Sequence, residues 1–275
     1  VTELGGGCFT GCTGIHTLVI GNGVAVIPRS AFEGCINLVE IVMPDSVTVI
    51  EGEAFRACQS LTEIVVPDSV TEIGKEAFAS CSSLENAVLG LNLETAGSDM
   101  FNICTSLRTL TLPNTGVKIV GLPRELKTIK LHADARGIGV IESAAEGLVQ
   151  EYVVLEPAVE NTAINYKSED GVLYTADGKK LVLYPHGKED TTYTVLDGTE
   201  IIGERAVARE GSAKISLTEM KFPDTLKTIE DLAFYDHDTL SVVSFPEGFT
   251  SIGRGAFSNC YKLDKMYLPK SLVNI

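Results

Sequence analysis

The chain has 275 residues, 44% of them hydrophobic, with no tryptophan and a formal charge of −15 from 37 acidic against 22 basic side chains. That is apolar content enough for one large domain or two ordinary ones, and an acidity that disfavours phosphate backbones and anionic membrane surfaces as partners. No run of about 18 apolar residues is present, so no segment reads as a membrane-spanning helix.

The first residue is valine, and no basic stretch followed by an apolar run precedes the first element, which suggests a chain already processed or trimmed. It opens within a repeat, at "VTELGGGCF", and stops within one, at "LPKSLVNI". Neither end has the look of a capping repeat, so the parent protein is expected to continue in at least one direction.

From Phe9 onward the sequence repeats every 23 residues. Phe9, Phe32, Phe55, Phe78 and Phe101 keep this spacing, as do Cys12, Cys35, Cys58, Cys81 and Cys104, and Ile15, Leu38, Leu61, Leu84 and Leu107. The unit reads L-x-x-I-x-V-P-x-x-V-x-x-I-G-x-x-A-F-x-x-C-x-x. In "LTEIVVP", Leu61, Ile64 and Val66 are core residues, the last two at the period of a strand, and Pro67 ends the strand because it cannot donate to a ladder. "PDS" is turn chemistry. Val70 and Ile73 add two core residues, and Gly74 allows a tight backbone path. In "EAFASC", Ala77, Phe78 and Cys81 fall on one face of a single helical turn. One such unit cannot bury its apolar side; stacked copies can, with each Phe on the next Phe and the strands forming a parallel sheet. The period lies in the range of leucine-rich repeats.

After Thr111 the register falters. "LRTLTLP", "LKTIKL", "IESAAEGL" and "EYVVLEP" are fragments of the unit; Leu107 to Leu126 spans only 19 residues, and the Phe is missing. These read as shortened coils. In "YKSEDGVLYTADGKKLVLYPHGKEDTTYTV", the strands "GVLY" and "KLVLYP" flank "TADGK", and Asp177-Gly178 is a strong hairpin signal. The hairpin is placed at about 166–192, protruding from or capping a coil, because so short a segment holds no core of its own. The 23-residue unit returns with Leu217, Leu240 and Leu263, and with Phe234 and Phe257.

The "A-F-x-x-C" followed by "L-x-x-I-x-I-P-x-S-V-x-x-I-G" resembles the BspA-like leucine-rich repeats of bacterial surface proteins, over Val1 to about Thr111 and Thr194 to Ile275. The "DGVLY…LVLYP" hairpin resembles a feature that recurs in the same family. The fold class expected is an α/β repeat solenoid: a leucine-rich-repeat right-handed superhelix with a parallel strand face, short helical turns opposite, and one inserted β-hairpin. One solenoid over 1–275 then divides into regular repeats (1–111), irregular coils (112–165), the hairpin (166–192) and regular repeats (193–275).

Seven cysteines are present, at 8, 12, 35, 58, 81, 104 and 260, five of them in one column. Stacked neighbours lie within the Cα separation a disulfide needs, and a metal ladder is conceivable. The reading taken is buried free thiols filling a small apolar position. Cys8 falls in the alanine column, where size is the constraint. In the later copies the cysteine column holds His237, Cys260 and, at an irregular copy, Lys214, a drift that a ligand set would not tolerate. His16, His132, His186 and His237 share no short motif and are read as surface or satisfied histidines. No G-x-S-x-G nucleophile elbow occurs. "GIGVIE" and "GNGVAVIP" lack the rest of a phosphate-binding fingerprint. "YDHDT" lacks the oxygens of a calcium loop and is read as a helix end and turn.

The binding surface of such a solenoid is its strand face. Its third column carries Thr17, Glu40, Glu63, Asn86 and Thr109; its fifth carries Val19, Val42, Val65, Val88 and Thr111. The valines suit a strand by propensity alone, but an apolar strip flanked by acid also suits a protein or peptide. The later columns, Glu219, Val242, Lys265 and Lys221, Ser244, Tyr267, are more mixed. The resemblance implies a non-enzymatic adhesion or recognition module, extracellular or on a bacterial cell surface. The ligand expected is a protein or glycoprotein, host extracellular matrix among the candidates, met by a monomer without cofactor or metal. The alternative is a spacer holding another domain away from the cell wall. An enzyme with paired carboxylates is the third reading, and the Asp and Glu residues that can be placed fall in positions set by the repeat.

Overall fold

The structure is a computed structural model that describes residues 2–138, 149–209 and 215–275. "IESAAEGL", the glycine pair of "GIGVIE" in part, and Lys214 lie outside the described residues. The chain divides into two compact units: Val1–Ala145 with Leu155–Thr162, and Glu146–Val154 with Ala163–Ile275.

In the first unit the regular coils contribute to three ladders. The first is the strand face. Thr17–Val19 pairs in parallel with Glu40–Val42. Glu63–Val65, Asn86–Val88, Thr109–Thr111 and Thr128–His132 form a continuous parallel run. Register links each residue to its counterpart one coil on, Glu63 to Asn86 to Thr109. The coil shortened to 19 residues keeps this register, Thr109 to Thr128. Alternation buries Ile64, Ala87, Leu110 and Ile129 and turns the residues on either side outward. The second ladder joins Val26–Ile27, Val49–Ile50, Glu72–Ile73 and Thr95–Ala96, with Ile27, Ile50 and Ile73 fully buried. Gly74 and Gly97 follow this ladder because coils touch there: a Cβ on Gly74 would stand 2.3 Å from the Gly52 nitrogen, and one on Gly97 2.2 Å from the Lys75 nitrogen.

The third ladder corrects the sequence expectation. "EAFASC" is not a helical turn, and no helix occurs among the described residues. Main-chain bonds alternate there. The N–H groups of Ala54, Arg56 and Cys58 donate to the carbonyls of Glu51, Glu53 and Phe55 within their coil; those of Glu53, Phe55 and Ala57 donate to Lys75, Ala77 and Ala79 of the next. A helix would spend every N–H inside its own coil and leave nothing to join the stack. The alternation requires left-handed residues, and Glu53, Ala57, Glu76 and Ser80 sit at φ of 60°, 57°, 56° and 62°. Such backbone costs roughly 1–2 kcal/mol per non-glycine residue, offset by the inter-coil bonds it permits. Behind this face the rings of Phe9, Phe32, Phe55, Phe78 and Phe101 stack with centroids 5.4, 5.4, 5.5 and 5.8 Å apart.

The second unit has the same architecture with a different beginning. Its strand face is Thr192–Thr194, Glu219–Lys221, Val242–Ser244 and Lys265–Tyr267, all parallel. Its other sheet runs Tyr166–Glu169, Val172–Thr175, Lys180–Leu183, Ile201–Ile202, Thr228–Ile229, Ser251–Ile252. The first three of these strands are antiparallel; the third then pairs in parallel with Ile201–Ile202. The hairpin is thus a three-stranded meander whose last strand begins the short-strand ladder. Val172, Tyr174 and Leu181 belong to the unit's core. At its turn, Asp177 Oδ1 accepts the Thr175 hydroxyl at 2.7 Å and the Lys179 N–H at 2.9 Å, and Gly178 takes φ 73°.

Candidate functional site

The strand face of the first unit is built by period-2 alternation: the inward Ile, Leu or Ala of each strand fixes the register, and the two flanking residues turn to the other face. Thr17, Glu40, Glu63 and Asn86 are exposed and Thr109 is half-buried. Val19, Val42 and Val65 are 70%, 46% and 55% exposed, and Val88 is half-buried. Register places Val19 beside Val42, and Val65 beside Val88 and Thr111. Thr111, expected on this face, is only 6% exposed. Its register neighbours are Val88 and Lys130. The accessible apolar strip is therefore Val19, Val42 and Val65, with Glu40 and Glu63 two residues away on each strand. Neither carboxylate forms an ion pair among the described residues. His16, just before the first strand, is exposed, and its Nδ1 lies 3.0 Å from the Gly14 carbonyl oxygen.

The cysteine column carries a repeated hydrogen bond between coils. The Sγ–H of Cys35, Cys58, Cys81 and Cys104 donates to the carbonyl of Phe9, Phe32, Phe55 and Phe78, in each case in the preceding coil, at 3.2, 3.4, 3.2 and 3.1 Å. Cys260 does the same to Phe234 at 3.1 Å. Sequence reading missed this because Cys and Ala look interchangeable at a small buried position. Burial pushes the thiols up, Cys35 to about 11 and Cys104 to about 12. Cys81, hydrogen-bonded to Cys58 and buried, is held well above the ordinary thiol range. All seven cysteines are free thiols, and Cys8 is exposed rather than enclosed in the alanine column. Among the described residues no group of three or more His, Cys, Asp or Glu side chains is placed to hold a metal ion.

"YDHDT" forms a turn, with no helix. Asp236 takes φ 57°, Asp238 Oδ2 accepts from Arg209 at 2.6 Å, and His237 is fully buried. The Leu240 N–H donates to His237 Nδ1 at 3.2 Å, while Nε2 is buried without a hydrogen-bond partner among the described residues.

Two features had no sequence signal. Asp134, in the fragment "HADAR", reaches 24 and 25 residues ahead to accept the N–H groups of Ala158 and Val159, at 2.8 and 3.3 Å, and the Thr162 hydroxyl at 3.3 Å. These bonds hold its carboxyl below the ordinary range against the opposing effect of burial. In the second unit, an open cleft of about 310 Å³ is lined by Glu169, Asp170, Asp190, Thr192, Tyr193, Thr194 and Leu196. Both depend on side chains far apart in the chain, which no local motif announces.

A family model described as BspA type leucine rich repeat region, in six copies, matches residues 2–122 and 200–275. No curated protein matches the chain. Among solved structures, the chain is similar to a T. pallidum leucine rich repeat protein: 32% identity over 48% of this chain and 66% of that one, TM-score 0.42. It thus spans just under two thirds of that protein's length. It is similar also to a leucine-rich repeat protein from Bacteroides ovatus, with 25% identity, 100% and 78% coverage and TM-score 0.47. A third likeness is to a leucine rich cell surface protein from Faecalibacterium prausnitzii, with 24% identity, 90% and 77% coverage and TM-score 0.42.

Proposed function

Because the chain belongs to the BspA-type leucine-rich repeat family, we propose that it is a non-enzymatic interaction module, secreted or displayed on a bacterial surface, that recognises a host extracellular protein or glycoprotein through the strand face of its first unit. One observation carries the reading. Val19, Val42 and Val65 stand exposed on a face whose inward residues are less exposed than they are, with Glu40 and Glu63, which form no ion pair among the described residues, alongside. A solvent-facing strip of valine offers a partner apolar area to bury. The adjoining carboxylates supply steering toward a basic surface and a penalty for an acidic one.

The test is a binding screen with the purified chain immobilised, against fibronectin, fibrinogen, laminin, mucin and a glycan panel at low and high salt. Val42→Lys with Val65→Lys should weaken a saturable ligand at least tenfold, because the pair replaces two of the strip's three exposed valines with charges. Glu40→Lys with Glu63→Lys should slow association and flatten its salt dependence. Neither pair touches the core, so the melting temperature should hold. Binding that survives both pairs moves the site off this face. Silence across the panel from a folded protein favours a spacer that holds a neighbouring domain away from the cell wall.

A further inference from the structure

The strand face of the second unit begins at an open edge. Thr192–Thr194 is the first strand of its four-stranded parallel sheet and has one strand neighbour there, Glu219–Lys221. The bonds to that neighbour use alternate residues: Glu219 N–H donates to the Thr191 carbonyl at 3.1 Å, and Val195 N–H to the Lys221 carbonyl at 2.9 Å. In a parallel ladder this phase turns the N–H and C=O of Thr191, Tyr193 and Val195 toward Glu219–Lys221 and those of Thr192 and Thr194 away from it. The main-chain groups of Thr192 and Thr194 have no partner among the described residues, and both residues are exposed.

Thr192 and Thr194 line the cleft of about 310 Å³. The cleft is lined also by Glu169 and Asp170 of the meander turn and by Asp190. Lys188 Nζ reaches Asp170 Oδ2 at 3.1 Å and Asp190 Oδ2 at 3.3 Å, so one cation is shared between two carboxylates. Glu169 has no ion pair among the described residues. The cleft keeps a net negative charge while offering two donors and two acceptors at strand spacing.

We propose that the Thr192–Thr194 edge is a strand-addition site for an extended, lysine- or arginine-bearing peptide segment of a partner protein. The backbone of the segment completes the hydrogen bonds of Thr192 and Thr194, and its basic side chains meet Glu169, Asp170 and Asp190. Unpaired strand edges are ready templates for such pairing, and the carboxylates select a basic segment over an acidic one. A three-residue edge, at about 3.3 Å per residue, engages a stretch of about three residues. The site uses none of the residues assigned to the strand face of the first unit.

The probe is a capped, fluorescein-labelled Thr-Lys-Val-Lys-Val-Thr hexapeptide, read by anisotropy with the full chain. Saturable binding is expected that weakens at least tenfold when alternate backbone amides of the peptide are N-methylated in one phase and changes little in the other. Thr194→Pro should weaken it at least tenfold: its N–H points out of the sheet, so proline removes the outer donor and leaves the inner ladder intact. Glu169→Lys should weaken it severalfold, as should replacing both peptide lysines by glutamate. Val42→Lys with Val65→Lys should leave it unchanged, which separates this site from the other face. Binding indifferent to Thr194→Pro and to both methylation phases would mean charge capture alone and overturn the proposal. Absence of binding up to millimolar peptide, or loss with the Val42 and Val65 pair, overturns it as well. Should Thr194→Pro fail to fold by circular dichroism, the methylated peptides still decide.

Discussion

The turn faces of the two units solve one problem with different atoms. In the first unit, four successive cysteines each donate a thiol hydrogen to the phenylalanine carbonyl of the coil before. In the second, His237 occupies the equivalent place. Where a cysteine is present, the N–H of the leucine three residues on donates to the cysteine's own carbonyl, as Leu38 does to Cys35 and Leu263 to Cys260. At His237 that N–H goes to the imidazole Nδ1 instead. The position therefore asks for a buried side chain with a polar atom that works with the main chain. Both residues meet it, but only the histidine has an ordinary pKa near neutrality, which burial moves down.

The largest test of the comparison is the aromatic ladder that both units share. Phe78 is fully buried between Phe55 and Phe101, with ring centroids at 5.5 and 5.8 Å. Phe78→Ala should cost about 3–5 kcal/mol by denaturant titration. Phe257 stacks on Phe234 at 5.0 Å but is only half-buried, so Phe257→Ala should cost about half as much. Equal losses would mean that stacking, rather than burial, sets the energy of the ladder.

Next comes the histidine itself. Burial, helped by the nearby charges of His186 and Arg209 and opposed by Asp238, lowers His237 from 6.5 to about 4. A depressed histidine is neutral in both states above pH 6.5, where its contribution to stability is complete. Between 6.5 and 4 the unfolded chain takes a proton that the folded chain refuses, so stability falls as pH falls, by up to about 3 kcal/mol, and levels off below 4. Protonation also removes the Nδ1 lone pair that Leu240 uses. His237→Cys, which restores the residue of the repeat, should abolish this part of the acid sensitivity. Denaturant midpoints at pH 7, 5.5 and 4 measure it, and an unchanged pH slope in the variant would place the sensitivity elsewhere.

The second unit also buries tyrosine hydroxyls where the first buries thiols. Tyr174 Oη lies 2.8 Å from Tyr193 Oη and accepts the Leu196 N–H at 3.2 Å. Tyr174→Phe strands both groups and should cost about 2 kcal/mol, read as a lower midpoint with unchanged slope. Were the loss negligible, water would have to reach the pair, and the core of this unit would be less dry than that of the first.

Much of this was legible in the chain and some was not, for identifiable reasons. The 23-residue spacing, the inward Leu, Ile and Phe columns and the exposed Glu and Val columns follow from period and alternation. Glu40, Val42, Glu63 and Val65 accordingly stand where the pattern puts them. The helical turn did not survive, because the spacing of Ala77, Phe78 and Cys81 is shared by a helix and by a run of alternating left- and right-handed residues. Only the inter-coil bonds of Glu53, Phe55 and Ala57 tell them apart. Thr111 went astray because alternation tells which face a residue takes but not how much of that face neighbouring coils cover. The first meander strand, Tyr166–Glu169, carries polar residues at most of its positions and no hydrophobic alternation. The acidic cleft gathers Glu169 and Asp190 from segments about twenty residues apart, below the reach of any motif.

The smallest expected effect bears most directly on the two turn faces. Cys58→Ala removes the thiol donor to the Phe32 carbonyl, yet that carbonyl keeps the Cys35 N–H at 3.2 Å. The acceptor is not stranded, so the loss is one weak hydrogen bond and a sulfur-sized gap, about 1 kcal/mol. Cys58→Ser keeps a donor in nearly the same volume. If the column is a hydrogen-bonding device, Ser should stand close to the parent and above Ala. If it is only a small apolar position, Ser should fall below Ala, because it buries a more polar group for no return. The order of the two midpoints decides between these readings, and it decides at the same time whether His237 is tolerated for its polar atom or merely in spite of its size.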